Sequence, residues 1–158
     1  MLKLYKFTDR EKLYWETWDV DSGRSIVHWG QLGTRGQTKT VVTVGSHSRH
    51  KIIQLEIDAI TAKGFTPVKE EDHAILMIEY AIQGMESQAD LDKRQRLEEK
   101  MNETLGWTGL GSCDGGSIGS GTMEVCNFVV DFETAKKVIE NDLKNTEFSN
   151  FTRIYLEA

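Results

Sequence analysis

From Leu2 to Phe7 the chain alternates, with Leu2, Leu4 and Lys6 on one side and Lys3, Tyr5 and Phe7 on the other. The alternation returns from Leu13 to Trp18, where Leu13, Trp15 and Thr17 oppose Tyr14, Glu16 and Trp18. A period of two predicts strands. Between Asp19 and Arg24 the acidic and serine side chains can bond nearby backbone and Gly23 can take positive φ, so this stretch predicts a turn. A third run carries Ile26, His28 and Gln31 into a glycine-rich loop, and the β-branched residues from Thr38 to Val44 return as a fourth strand. The period then changes. Ile53, Ile57 and Ile60, with Ile52 and Ala59 beside them, predict an amphipathic helix capped by Ser46 or Ser48 and stopped by Gly64. Hairpin-linked strands followed by one such helix make an antiparallel sheet with one covered face.

Pro67, the only proline, opens a charged stretch, and residues 69–73 read as a linker. Ile75 to Ile82 is dense enough in apolar residues for a central strand. Asp90 to Leu105 predicts a helix with Leu91, Leu97, Met101 and Leu105 inward and Gly106 as its stop. Trp107 to Ser112 follows as a strand, then a glycine-rich loop, a strand from Met123 to Asp131, a helix from Phe132 to Lys144 bearing Ala135, Val138, Ile139 and Leu143, and a strand from Phe151 to Leu156. The order β-α-β-β-α-β is the pattern of the ferredoxin-like split βαβ fold. The fold class is therefore α+β, with one domain over residues 1–68 and another over 74–158. In the 74–158 domain the strands are apolar on both alternations, which predicts that its uncovered sheet face is shielded by the first domain or by another copy of the chain in a homodimer.

The chain has 39% apolar and 28% charged residues, ordinary for a globular protein. No run is long enough for a membrane helix, and the first twenty residues are too charged for a secretory signal, so the expected location is cytoplasmic. Two cysteines, Cys113 and Cys126, fit thiols in a reducing compartment. The net charge of −6 divides unevenly. Residues 1–68 hold ten Lys and Arg against seven Asp and Glu, or +3; residues 69–158 hold nine against eighteen, or −9. The first part tolerates a polyanion and the other repels one.

The most distinctive stretch is Ser25-Ile-Val-His-Trp-Gly-Gln-Leu-Gly-Thr-Arg-Gly-Gln37. Gly30, Gly33 and Gly36 fall every third residue, Trp29 adds a large ring, and Arg35 is the loop's only full charge. Trp29-Gly30-Gln31-Leu32-Gly33-Thr34, followed by Gly36-Gln37, resembles the signature of the WGR domain of DNA-damage-responsive poly(ADP-ribose) polymerases and of bacterial proteins named after a molybdate-metabolism regulator. The order of elements from Lys3 to about Val68 is similar to that family's layout. The resemblance implies a nucleic-acid or protein partner. In the family the third signature residue is arginine; here it is Gln31, which removes a charge-assisted phosphate contact. Trp29, Gly30, Gln31, Arg35, Lys39, Arg49 and Lys51 form the expected binding surface, with Trp29 either an exposed contact or a residue locking the sheet edge onto the helix. His47, Arg49, His50 and Lys51 at the helix start read as an anion site or as an ordinary solvated end.

Another candidate is the glycine-rich loop over residues 109–121, with Asp114, Gly115, Gly116, Ser117, Gly119 and Ser120 as ligand contacts. A strand rather than a helix follows it and no lysine is near, so neither nucleotide-binding signature fits. His47 and His50 lack the further ligands of a zinc site, Glu98, Glu99 and Glu103 sit among basic residues on a solvated face, and no Ser or Cys has a nucleophile-elbow context. No cofactor, metal or catalytic residue is expected. The reading is a non-enzymatic binding or regulatory module; the alternatives are a small-ligand sensor built on the glycine loop and an acidic immunity-type inhibitor of a basic protein.

Overall fold

The computed structural model describes residues 1–158. The chain divides into two compact units, Met1–Lys69 and Glu70–Ala158, and is mixed α+β, with two four-stranded antiparallel sheets.

In the first unit β1 (Leu2–Phe7), β2 (Lys12–Asp21), β3 (Arg24–Gln31) and β4 (Gln37–Val42) form a meander in sequence order, and α1 (Ser46–Ala62) covers one face. Leu4 pairs with Trp15 and Trp15 with Trp29, so these three share a face. The alternation read from the sequence is the one that is built. Leu4, Trp15, Val27, Ile53 and Phe65 are buried together, with Leu2, Leu13, Trp29, Val41, Ile57 and Ile60 packed against them. Gly23 N donates to Asp21 Oδ1 at 2.9 Å in the predicted turn. Neither Ser46 nor Ser48 caps α1: its N-cap is Gly45, at φ 94°, and no side chain caps the helix start. At the other end Gly64 takes φ 99° and its N–H bonds Thr61 O, the expected glycine stop.

In the second unit a single 3₁₀ turn, Glu70–Asp72, lies in the stretch read as linker. Then follow β5 (Ala74–Ala81), α2 (Gln88–Trp107), β6 (Gly111–Gly119), β7 (Thr122–Val129), α3 (Phe132–Leu143) and β8 (Arg153–Glu157). The strand order is β6-β7-β5-β8 with every neighbour antiparallel, as two crossover helices and a split βαβ require. Ser87 and Asp90 form a capping box that starts α2. The core joins Leu76, Ile78, Met123, Val125 and Val129 of the sheet to Leu97, Met101, Leu105, Ala135, Ile139 and Leu143 of the helices, all buried.

Three expectations for this unit are corrected. Gly106 does not stop α2, which runs through it to Trp107; Trp107 is therefore helical and not the start of a strand. The glycine-rich stretch is not a loop, because β6 occupies most of it and pairs with β7 through a bulge between Cys113 and Gly116. Its glycines serve close packing: a Cβ on Gly111 would lie 1.9 Å from Phe128 O, and one on Gly116 would lie 2.4 Å from Glu124 O and meet Arg94 and Glu98 of α2. Lastly, the sheet face away from the core is half polar. Arg153 donates to both carboxylate oxygens of Glu79 at 3.1 and 3.2 Å, and Tyr155 Oη donates to Glu124 at 2.9 Å, while Ile75, Met77, Cys126 and Phe128 fill the other half. No helix is long and apolar enough to cross a membrane.

Candidate partner-binding surface

The signature hairpin is organised from its buried side. Glu16, Tyr14 and His28 occupy the sheet face opposite α1, and all three are buried. His28 Nδ1 lies 2.7 Å from Glu16 Oε1, and Nε2 lies 2.6 Å from the carbonyl oxygen of Arg35. A carbonyl only accepts, so Nε2 carries a hydrogen, and Nδ1 shares one with the carboxylate. Tyr14 Oη donates to Thr34 O at 2.7 Å and leaves its lone pairs toward His28 Nε2, 3.1 Å away. Two successive carbonyls of the loop are thus tied to the sheet. Burial, with the Glu16 charge beside it, pushes the Tyr14 phenol up to about 12.

That anchoring explains the glycine spacing. To reach His28 and Tyr14 the loop folds back until Gly36 lies on Gly30: a Cβ on Gly30 would stand 2.7 Å from Gly36 Cα, and one on Gly36, at φ 60°, would stand 2.1 Å from Trp29 O. Gly33 takes φ 89° at the loop's tip, Leu32 is buried, and Leu32 N bonds Lys12 O at 2.8 Å. Sequence reasoning missed Tyr14, Glu16 and His28 as a group. The available signal was a titratable residue at the middle of each of two adjacent strands.

Trp29, on the inner strand β3, is half-buried and packs on the core beneath α1. Its ring helps line an open crevice of about 340 Å³ between the sheet and α1, with Trp15, Val27, Lys39, Glu56, Ala59, Ile60 and Lys63. Lys39 crosses from β4 to pair with Glu56 of α1, its Nζ 6.0 Å from the Trp29 ring centroid. Gln31, Arg35 and Lys51 are exposed on the strand end, the loop and the second turn of α1. Arg49 is corrected: it is 2% exposed, donates to Ser22 O, and its Nε lies 3.8 Å from Asp19. It pins the β2–β3 turn to the helix start. His50 also reaches Asp19, at 3.5 Å, and the bond from Ser25 Oγ at 2.6 Å leads the effects that hold the Asp19 carboxyl below its usual range.

The other candidate does not assemble. Asp114, Gly115, Gly116, Ser117 and Gly119 lie along β6 and Ser120 in its hairpin turn, a strand edge rather than a cradle. Cys113 and Cys126 are free, and burial pushes the Cys113 thiol up to about 11, away from nucleophilic use. No three His, Cys, Asp or Glu side chains are grouped to hold a metal ion. No family model matches the chain, and neither a curated protein nor a solved structure matches it.

Proposed function

We propose that the chain is a non-catalytic, intracellular binding module whose first unit recognises a partner protein. One observation carries the reading: the four cations of the expected surface, Arg35, Lys39, Arg49 and Lys51, are not presented together as a phosphate backbone would need. Arg49 is buried and bound to Ser22, Lys39 is paired with Glu56, and Arg35 and Lys51 stand on different elements. Phosphate affinity scales with the number of cations brought to the backbone, so scattered charges with Gln31 in place of arginine support at most weak, non-specific binding. The crevice at Trp29 sets Trp15, Val27, Ala59 and Ile60 among Lys39, Glu56 and Lys63, and the aromatic part of that lining is what favours protein contacts. The resemblance of the hairpin to the WGR signature supports a binding role in either case.

The test is titration of the full chain against labelled duplex DNA with blunt and recessed ends over a range of salt. Expected is a dissociation constant on the order of 10⁻⁵ M or poorer, weakening further with salt. Binding well below micromolar at physiological salt would overturn the protein-binding reading in favour of nucleic acid.

A further inference from the structure

The chain treats its four sheet edges differently. Tyr5 and Thr66 exchange two backbone hydrogen bonds of 2.8 Å, which close the outer side of β1. A bulge interrupts β6, and β8 is five residues long with Arg153 and Glu157 at its ends. These are the usual guards against unwanted strand pairing. The strand β4 has none of them: it is six residues of Gln-Thr-Lys-Thr-Val-Val, without proline or bulge, and exposed along almost its whole length. Its one charge does not guard the edge, since Lys39 is turned under α1 onto Glu56.

The phase of the ladder shows which groups are free. Thr43 N bonds Gly23 O at 3.3 Å in continuation of the β3–β4 register, so the odd-numbered residues of β4 bond to β3. Thr38, Thr40 and Val42 therefore turn their N–H and C=O groups outward, and no backbone bond outside the ladder takes them up. Above this edge, the flank of α1 that carries Glu56 also carries Ile52 one turn before it and Ala59 and Lys63 after it; Ile52 is 40% exposed.

Resting on the protein-binding reading, we propose that β4 accepts an extended segment of a partner protein as a fifth strand. Alternate side chains of that segment would lie beside Val41 and under Ile52 and Ala59, and one of them, acidic, beside Lys39 and Lys63. A second copy of this chain fits less well. β4 itself carries no acidic residue, so pairing it with another β4 brings no acid to Lys63. An acidic strand supplies one.

The experiment selects peptides of roughly twelve residues from a random phage-displayed library on the full chain, then measures the selected peptides by fluorescence anisotropy. Expected are sequences alternating apolar residues with polar ones and carrying an acid on the apolar phase. Thr40→Pro removes an outward N–H without touching the β3 ladder and should weaken binding by at least about tenfold, whereas Thr40→Val should retain it. In the unmodified chain the peptide should slow amide exchange at Thr38, Thr40 and Val42, a readout that does not depend on the proline variant folding. Peptides that bind Thr40→Pro equally well and leave those amides unprotected overturn the β4 assignment while the protein-binding reading stands. Failure to enrich any peptide overturns both, and a chain dimer dissociated by Thr40→Pro replaces the partner with a second copy.

Discussion

Gly30 and Gly36 lie back to back where the signature loop closes, so near that a Cβ on Gly30 would stand 2.7 Å from the Cα of Gly36. The two positions are not equivalent. At Gly30 the obstacle is one backbone atom and the Tyr14 hydroxyl, and Gly30→Ala should cost roughly 1–3 kcal/mol as overpacking. At Gly36 the side chain would need both positive φ and room against the Trp29 carbonyl, 2.1 Å away, so Gly36→Ala should cost on the order of 4 kcal/mol or prevent folding of the hairpin. Urea unfolding of the full chain gives both values; equal, small losses would show that the loop does not close on itself.

How much of this was legible depends on the kind of cause. The first meander and its helix, and the order of elements in the second unit, follow from hydrophobic period, which is local and strong: Leu4, Trp15 and Ile53 announce their face in the sequence. Close approach is not local. Gly116 reads as loop because glycine is read by its own conformational freedom, whereas here α2 and β7 press on it from both sides. Arg49 reads as a free cation for the same reason, since nothing near it in sequence reveals that Ser22 and Asp19 enclose it. The apolar reading of the open face in the second unit's sheet passed over Glu79 and Glu124, which lie opposite each other on adjacent strands.

The buried pair Glu16 and His28 should be destabilising to break and cheaper to remove whole. His28→Ala leaves a carboxylate in a buried position with Lys3 as a distant neighbour, 3.9 Å away, and frees the Arg35 carbonyl; a loss of about 3–5 kcal/mol is expected. Replacing both Glu16 and His28 by glutamine should cost less than Glu16→Gln and His28→Gln summed. A double-mutant cycle in urea tests this, and strict additivity would mean the two side chains are not coupled.

The glycines of β6 should divide into those that pack and those that do not. Gly116→Ala meets Glu124 O at 2.4 Å and should cost roughly 2–3 kcal/mol, since backbone on β7 must move. Around Gly119 nothing lies within 4 Å and its φ is not positive, so Gly119→Ala should be neutral or add about 0.5 kcal/mol by restricting the unfolded chain. Thermal unfolding distinguishes them. A large loss at Gly119 would indicate that its backbone is used for something other than pairing with β7.

All four tyrosines have phenols shifted above their ordinary range, which predicts a sharp alkaline limit to stability. Burial is the leading cause in each. At Tyr5 and Tyr14 the Glu16 charge adds to it, and the Tyr80 hydroxyl also donates to Phe148 O at 2.8 Å inside the second unit. A phenol is neutral when protonated, so a raised folded value means the native state holds its proton more firmly than the unfolded chain does. The stabilisation is complete below about pH 10, where unfolded tyrosine titrates, and is lost as pH climbs through the folded values. For Tyr14 that window runs from about 10 to about 12; Tyr5 and Tyr80 extend it upward. The measurement is absorbance of tyrosinate against pH alongside near-ultraviolet circular dichroism. Expected is tyrosinate appearing above pH 10 together with loss of tertiary signal, because Tyr5, Tyr14 and Tyr80 ionise by unfolding. Independent titration of all four near pH 10 with the dichroism intact would show that these rings are solvated and that the network holding the signature loop is open in solution.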